Sequence, residues 1–276
     1  MEIKLKNTQR ALSPTGIDIA DRVINPYIGC QFGCEFCYSR ANKRIKRIKK
    51  KWGDFVWVKG NFVDILNQEL RDSNKKIKRV LIGSTTDPLQ PVEKKYRLTE
   101  SVLKVLREYN IPVTLLTRSL LVERYIDLLG YSPKNSVYFT YNPKVTEIFT
   151  KGNNFCIKDK KRVIKKLYFS NINLFVYISP VFPEIVDVEK IFKELKGRTG
   201  KIYFENYNIK VGNWNRLKNH LNDDYMKKIE NIFLNKEKYD KYWKNFVRDT
   251  DALNQNYGYD LKFIIYPFNS YYQSKI

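Results

Sequence analysis

Residues 25–40 read NPYIGCQFGCEFCYSR, and this stretch carries three of the four cysteines of the chain. Cys30, Cys34 and Cys37 follow the spacing C-x3-C-x2-C. Cysteines this close together are poorly placed for a disulfide framework and well placed for a metal site. Three thiolates on a short loop can each bind one iron of a [4Fe-4S] cubane, which leaves the fourth iron without a protein ligand. The spacing therefore predicts a reactive iron–sulfur cluster with an open coordination position.

A structural zinc site is the alternative interpretation of these cysteines. Such a site needs four ligands. The other candidate ligands are Cys156 and the only histidine, His220, and both lie far along the chain from Cys37. The cluster is therefore the favoured hypothesis. Cys156 itself is interpreted either as a small apolar residue or as a redox-active or substrate-facing one.

After the cysteines, short apolar runs alternate with segments of helical periodicity, a pattern that predicts βα units and a parallel sheet. The predicted strands are 56–59, 78–83, 112–117, 137–140, 173–178 and 201–204, with a closing strand at 261–266. The predicted helices are 62–71, 98–109, 121–129, 160–169, 188–195, 223–234 and 238–254.

About six βα repeats of this kind can form a full or partial barrel. We expect an α/β fold, a partial (β/α)6 TIM-like barrel with a helical C-terminal extension. The 276 residues suffice for one such domain. The predicted divisions are an N-terminal arm over 1–23, the barrel core over 24–210, and a helical extension with the closing strand over 211–276.

Polar stretches follow three of the predicted strands, at residues 84–87 (STTD), 118–119 (RS) and 141–142 (YN). Each stretch alone is typical of turns and helix caps. Active sites of parallel barrels gather at the carboxyl ends of the strands. The joint placement of the three stretches therefore predicts a site at this end of the sheet.

Positive charge dominates the composition, with 51 Lys and Arg against 29 Asp and Glu and a net charge of +22. Such an excess indicates a polyanionic partner such as nucleic acid, although a genome biased toward Lys, Asn, Ile and Tyr codons is an alternative source. The charge is densest at 43–51 (KRIKRIKKK), where it can neutralise phosphates or form a solvated face. The candidate nucleic-acid-binding residues are Lys43, Arg44, Lys46, Arg47, Lys49, Lys50 and Lys51.

Export and membrane insertion are not indicated. The chain has no run of eighteen apolar residues, and its start, MEIKLKNTQRALSPTG, lacks the apolar core of a signal peptide. We therefore expect a cytoplasmic protein that does not contact membranes.

The cysteine spacing resembles the signature of the radical S-adenosylmethionine superfamily. The strings NPYIGCQFGCEFCYSR, GSTTDPLQPVEKKYRLTESVL, LLTRSLLVERYIDLL and ISPVFPEI resemble, in this order, the spore photoproduct lyase-like group, also called DNA repair photolyase-like. The resemblance covers residues 24–184. It implies a [4Fe-4S] cluster on the three cysteines, S-adenosylmethionine as cofactor, and a one-electron reductant of the flavodoxin or ferredoxin type. It also implies reductive cleavage of S-adenosylmethionine to a 5′-deoxyadenosyl radical.

The resemblance assigns contacts with S-adenosylmethionine to six residues. Phe36 matches a position that packs near the adenine. Arg118 matches a basic position that meets the carboxylate, for which a guanidinium is well suited. The methionine amino end is assigned to Ser84 and Thr85, and the ribose to Thr140 and Asn142.

Two positions depart from the spore photoproduct lyases. The lyases carry a hydrogen-donating cysteine where Ser84 stands and a tyrosine where Phe36 stands, and a serine O–H bond is too strong to serve as that donor. Tyr38 matches a lyase tyrosine and is the candidate catalytic residue. Repair of thymine dimers by the lyase mechanism is therefore not expected.

The favoured function is a radical S-adenosylmethionine enzyme that acts on nucleic acid or another anionic substrate. A peptide or a small metabolite is the alternative substrate. A second class of function is a non-catalytic nucleic-acid-binding module stabilised by a metal.

Overall fold

The computed structural model describes residues 1–73, 77–150, 157–209 and 214–268. Its strands are β1 (Glu2–Lys6), β2 (Ser13–Pro14), β3 (Arg22–Ile24), β4 (Tyr27–Ile28), β5 (Phe55–Lys59), β6 (Val80–Ile82), β7 (Val113–Thr117), β8 (Ser136–Thr140), β9 (Asn173–Val181), β10 (Lys201–Asn206) and β11 (Asp260–Ile264). Its α-helices are α1 (Lys43–Arg47), α2 (Phe62–Arg71), α3 (Glu93–Tyr96), α4 (Leu98–Glu108), α5 (Ile126–Gly130), α6 (Pro143–Phe149), α7 (Ile157–Tyr168), α8 (Val188–Leu195), α9 (Trp214–Lys218), α10 (Asp223–Phe233) and α11 (Lys236–Asn254).

The larger sheet has the strand order β11-β10-β9-β8-β7-β6-β3-β2 within the described residues. β3 and the strands from β6 to β11 run parallel, whereas β2 pairs antiparallel with β3 at one edge. This part of the chain contains no sheet that closes on itself. The predicted α/β class and the partial barrel are confirmed.

A smaller sheet holds β5 between β1, which is parallel to it, and β4, which is antiparallel. The strand predicted at 56–59 is therefore real but does not belong to the barrel, whose first parallel strand is β3. β4 leads directly into the cysteine loop, so the loop starts where the smaller sheet meets the larger one. The domain divisions at 23/24 and 210/211 stay predictions.

Side chains along the barrel strands point alternately to two faces of the sheet. One face is fully buried and includes Val176, Ile178, Ile202 and Phe204, each with no exposed surface. Full burial of one such side chain contributes about 1.5–3 kcal/mol relative to leaving it exposed. The opposite face holds the partly exposed Tyr177 of β9 with Tyr203 and Glu205 of β10. This second face is available for a site.

Helices with a clear apolar stripe begin and end where the sequence predicts. α2 and α8 match their predicted ranges, because side chains such as Phe62, Leu66 and Leu70 bury one side of α2. The helix predicted over 121–129 is instead a 3-10 turn over Leu120–Tyr125 followed by α5.

Every helix in the part of the chain that the structure describes is too short or too polar to cross a bilayer.

Candidate active site

The three cysteines of the 25–40 stretch lie at the carboxyl end of the parallel strands. Cys30 and Cys34 are buried, Cys37 is half-buried, and none of the three forms a disulfide bond. Burial raises the pKa of the Cys30 and Cys37 thiols, and nearby negative groups, Asp87 beside Cys30 and Cys34 beside both, raise it further. Thiolates at Cys30 and Cys37 therefore need positive charge close by.

The start of the cysteine loop is clamped by the segment that follows β6. Thr86 Oγ1 donates to the carbonyl oxygen of Gly29 at 2.5 Å, and Gln90 Nε2 donates to the same oxygen at 3.3 Å. The backbone N–H of Gln31 donates to Gln90 Oε1 at 2.8 Å. Gly29 has φ +88°, and a Cβ there would overlap the carbonyl oxygen of Phe55. The glycine is thus required where the loop packs on β5.

The end of the loop is clamped by Arg40, whose side chain is only 7% exposed. Its Nε donates to the carbonyl oxygen of Cys34 at 2.9 Å, and its Nη2 donates to that of Gly33 at 2.8 Å. Nη2 also pairs with Glu35 at 2.9 Å. One guanidinium therefore fixes the turn between Cys34 and Cys37.

Arg118, directly after β7, lies beside the cysteines. Its guanidinium carbon is 5.3 Å from the centre of the Phe36 ring. Burial alone would lower the pKa of Arg118, but the negative charges of Cys34, Asp87, Cys30 and Cys37 raise it. Its Nη1 is buried and has no hydrogen-bond partner among the described residues. An unpartnered buried N–H of a cation is costly unless a ligand accepts from it.

Asp87 fixes the position of Arg118. One carboxylate oxygen accepts from the backbone N–H of Arg118 at 2.9 Å, and the other accepts from Thr117 Oγ1 at 2.7 Å and from the backbone N–H of Leu89 at 2.9 Å. The carboxylate thus joins the end of β6 to the end of β7 and leaves the guanidinium free to face Phe36.

Ser84 and Thr85 are joined to the end of β3 by Asn25. Asn25 Nδ2 donates to Ser84 Oγ at 3.0 Å, and the backbone N–H of Thr85 donates to Asn25 Oδ1 at 2.9 Å. The half-exposed Tyr38 donates its hydroxyl proton to the carbonyl oxygen of Ser84. These predicted residues therefore form one connected group.

Thr140 and Asn142 lie at the end of β8, where both are buried. The Asn142 side-chain amide donates to the carbonyl oxygen of Pro180 at 2.7 Å, which ties β8 to β9. The carbonyl oxygen of Thr140 accepts from the buried ammonium group of Lys160 at 3.3 Å. Burial, and then the positive charge of Arg118, lower the pKa of Lys160 to about 7. Lys160 is therefore a second buried basic side chain near Arg118.

Thr150 contacts the cysteine loop from the end of α6. Its Oγ1 lies 3.6 Å from Cys34 Sγ, in the geometry of a hydroxyl that donates to sulfur. Such hydrogen bonds change the reduction potential of an iron–sulfur cluster.

The donor set consists of three cysteine thiols on one loop, a set that can ligate three irons of a [4Fe-4S] cluster. Among the residues that the structure describes, no three Cys, His, Asp or Glu side chains are grouped so as to hold one metal ion. Cys156 lies outside the described residues.

The basic run begins just after the cysteine loop. Its seven cations are all exposed, and Ile45 packs against the core. Lys50 pairs with Glu2. Burial, and then the positive charge of Arg44, lower the pKa of Lys59 to about 8, and the Lys59 ammonium group donates to the carbonyl oxygen of Asn25 at 2.7 Å. The run is therefore close to the residues that hold Ser84.

Several residues of the site were not predicted individually. Asp87 and Gln90 lie inside the quoted string GSTTDPLQPVEKK, and Asn25 and Arg40 are the ends of the quoted 25–40 stretch. The signal in the sequence was that these four polar residues lie next to the candidate site residues. Lys160 and Thr150 had no comparable signal, because helical packing brings them to the site from distant positions.

No protein-family model matches the chain, but the chain is similar to individual known proteins. The chain is 34% identical over 243 residues to the uncharacterized protein MJ0683 of Methanocaldococcus jannaschii, which covers 87% of this chain and 89% of that protein. It is 25% identical over 183 residues to the uncharacterized protein Rv2578c of Mycobacterium tuberculosis, of whose length it matches 54%.

Among solved structures, a spore photoproduct lyase mutant with bound AdoMet and dinucleoside spore photoproduct has a TM-score of 0.61 at 14% identity. That match covers 95% of this chain and 81% of the lyase. Another mutant of the lyase gives a TM-score of 0.64 at 15% identity. The predicted resemblance to the spore photoproduct lyase-like group is confirmed at the level of the fold. The chain belongs to the family of MJ0683 and has the fold of spore photoproduct lyase.

Proposed function

We propose that this protein is a radical S-adenosylmethionine enzyme that acts on nucleic acid. Cys30, Cys34 and Cys37 would hold a [4Fe-4S] cluster, and Arg118 with Phe36 would bind the cofactor. When bound, the cluster and S-adenosylmethionine supply a 5′-deoxyadenosyl radical that abstracts a hydrogen atom from the substrate. A one-electron reductant of the flavodoxin or ferredoxin type is required.

The unpartnered Nη1 of Arg118 is the observation that carries this proposal. A guanidinium held 5.3 Å above an aromatic ring and beside three cysteines offers a charge-assisted hydrogen bond to a carboxylate. The adjacent Phe36 ring offers a flat apolar surface to a purine. Asp87 holds the guanidinium in this position without pairing with its tip.

The remaining residues orient the site. Asn25 holds Ser84 and Thr85 at the end of β6, and Gln90 and Arg40 fix the two ends of the cysteine loop. Tyr38 is bonded to the carbonyl oxygen of Ser84 and is therefore held at the same end of the sheet.

Anaerobic reconstitution with iron and sulfide tests the proposal. We expect a brown protein whose reduced form gives the electron paramagnetic resonance signal of a [4Fe-4S]⁺ cluster. Addition of S-adenosylmethionine should change that signal, and 5′-deoxyadenosine should accumulate. A colourless protein that binds zinc would instead support the non-catalytic module.

Nucleic acid is the proposed substrate because seven exposed cations follow the cysteine loop and the net charge is +22. Phosphate neutralisation by such a run is the largest contribution to non-specific affinity for nucleic acids. A peptide or small metabolite is the alternative, and the salt dependence of binding separates them.

A further inference from the structure

The half-buried carboxylate of Glu205 has no role in the site described above. It lies near the carboxyl end of β10, on the face of the sheet that also carries Tyr177 and Ser179 of β9. Among the residues that the structure describes, no lysine or arginine pairs with it.

Two hydroxyl groups donate to this carboxylate, and a third lies close to it. Tyr266 donates to Oε1 at 2.6 Å, Ser179 donates to Oε2, and Tyr177 is near enough to interact with the Glu205 charge. Burial, and then the Glu205 charge, raise the pKa of Tyr177 and Tyr266. The two phenols therefore stay protonated, and the Tyr266 proton points to Glu205.

The group formed by Glu205 and these hydroxyls therefore offers mainly hydrogen-bond acceptors to a ligand. The Tyr266 and Ser179 protons are used within the group, so lone pairs of the hydroxyl oxygens and of the carboxylate remain to accept further hydrogen bonds. A ligand that satisfies them has to donate. N–H groups of an amine or of a nucleobase have this character, whereas phosphate does not.

An aromatic floor adjoins the acceptors. Tyr138 stacks on Phe175 with ring centres 4.5 Å apart, and the rings of Tyr177 and Tyr203 meet Tyr138 edge-on at 6.1 and 5.7 Å. Rings of this kind offer their edges, and the faces that no other group covers, to a base. Glu205 lies toward the carboxyl end of β10, and the cysteine loop lies at the same end of the parallel strands.

Two lysines near this group favour a nucleobase over a free cation as its ligand. Lys201 lies 4.8 Å from the centre of the Phe175 ring, and Lys262 lies 5.4 Å from that of Tyr203. These cations already occupy ring faces of the floor and would repel a cationic ligand. Both lysines would attract a phosphate group. Lys201 lies four residues before Glu205 in β10, which corresponds to about 13 Å along the strand.

We propose that Glu205, with Tyr177 and Tyr266, binds the exocyclic amino group of a substrate nucleobase, adenine or cytosine. The proposal rests on the proposed action on nucleic acid and adds the base class that the site accepts. Glutamate oxygens accept well from base amino groups, and one good pair of this kind discriminates about tenfold or more.

Short single-stranded oligonucleotides test the base class, in two matched pairs. One pair carries cytosine or N4,N4-dimethylcytosine, and the other carries adenine or N6,N6-dimethyladenine. Within a pair the phosphates are the same, and two methyl groups replace the amino N–H groups; the comparison with Glu205→Gln separates the lost hydrogen bond from the added bulk. Fluorescence anisotropy with the reconstituted protein should show about tenfold weaker binding of the dimethylated member of at least one pair.

The variant Glu205→Gln should reduce that ratio to about twofold or less, because an amide replaces one acceptor oxygen by a donor. Glu189→Gln is the control, since it removes the same charge from an exposed residue of α8 and should keep the ratio. Tyr177→Phe keeps the ring and should lower the ratio as well. Its melting temperature and that of Glu205→Gln show whether the fold is intact.

Four results would overturn the assignment. Equal binding within both pairs, or a ratio that persists in both folded variants, would remove the base-reading role while leaving the proposed enzyme untouched. Glu205-dependent binding of an oligolysine peptide without base discrimination would assign the group to a cationic substrate. A complete lack of oligonucleotide binding by a protein that still cleaves S-adenosylmethionine would remove nucleic acid itself.

Discussion

Thr150 is a single residue whose effect on the cysteine loop can be isolated. Its hydroxyl donates to Cys34 Sγ, and such a bond stabilises the more negative, reduced form of a bound cluster. Thr150→Val should therefore lower the reduction potential by some tens of millivolts, since about 59 mV corresponds to a tenfold change for one electron. A redox titration followed by electron paramagnetic resonance measures the change.

Thr146→Val is the matched control for that variant. Thr146 lies one turn earlier on α6, and its buried hydroxyl has no partner among the described residues. The control should keep the wild-type potential. Equal potentials in all three proteins would show that the Thr150 contact does not reach the cluster.

Arg118 is the residue on which the cofactor assignment depends. Arg118→Met keeps an apolar side chain over Phe36 and removes the charge. We expect S-adenosylmethionine to bind about 10- to 150-fold more weakly, the loss of roughly 1.5–3 kcal/mol for a charge-assisted contact. Isothermal titration on the reconstituted protein measures the affinity.

The visible absorbance of the cluster in the same preparation serves as the control for Arg118→Met. It should be unchanged, because Arg118 is not a ligand. Unchanged affinity for S-adenosylmethionine would remove Arg118 from the pocket.

Part of this site could be predicted from the polar residues that follow the predicted strands, and the rest was missed for a physical reason. Ser84, Arg118 and Asn142 were identified because each follows a recognisable strand. The same rule applied to the strand predicted over 201–204 points to Glu205, which follows that strand directly but was not singled out. Lys160 was not predicted because a lysine on an amphipathic helix usually faces solvent.

At the level of elements, α4 is anchored through Glu93, which has no exposed surface. Its carboxylate accepts from the backbone N–H groups of Thr99 and Glu100 at 3.0 and 3.1 Å. It also accepts from Tyr27, at the start of β4, and from Tyr125 at 3.1 Å. Glu93 thus connects the first turn of α4 to the strand that precedes the cysteine loop.

Glu93→Gln should lower the free energy of unfolding by about 2 kcal/mol, because an amide leaves a buried donor unsatisfied. Urea denaturation measures this, with the exposed Glu108→Gln at the other end of α4 as control. Burial raises the pKa of Glu93 above 4.5, so the folded state keeps its proton to higher pH than the unfolded chain. Wild-type stability should therefore fall as the pH rises from 4.5 through the folded pKa, and the variant should lose this component.

Elements with a strong local pattern were predicted well, and those defined by distant pairing were not. The apolar stripes of α2 and α8 are sufficient to define their bounds. β5 was recognised as a strand, but its partners β1 and β4 could not be read from the sequence because pairing joins β5 to segments about fifty and about thirty residues away. β1 reads EIKLK, and its mostly exposed side chains resemble those of a loop.

For the whole molecule, the fold of spore photoproduct lyase does not imply its reaction. The sequence resemblance matches Ser84 to the position of the hydrogen-donating cysteine of the lyases, and Ser84 Oγ lies 3.0 Å from Asn25 Nδ2. Incubation with DNA that contains spore photoproduct should therefore restore no thymine above background, as measured by chromatography of the digested DNA. A Ser84→Cys variant that gained repair would identify this position as the missing donor, whereas efficient repair by the wild type would contradict the prediction.

The excess of positive charge belongs to the whole molecule, and its distribution can be tested. Lys43, Lys46, Arg47 and Lys49 are exposed, and Lys50 is excluded because it already pairs with Glu2. Replacing these four by Gln should flatten the log–log salt dependence of single-stranded DNA binding by up to about three units, if each contacts one phosphate. Anisotropy titrations between low and physiological salt measure the slope.

A matched variant separates location from net charge. Lys227, Lys236, Lys241 and Lys244 are exposed on α10 and α11, and their replacement by Gln removes the same four charges. If the basic run contacts phosphates, only the first variant changes the slope substantially, because counterion release depends on the phosphates that are contacted. Equal, small changes in both variants would show that the charge acts only as a diffuse field, and substrate binding would then have to be carried by the sheet face around Glu205 rather than by the run.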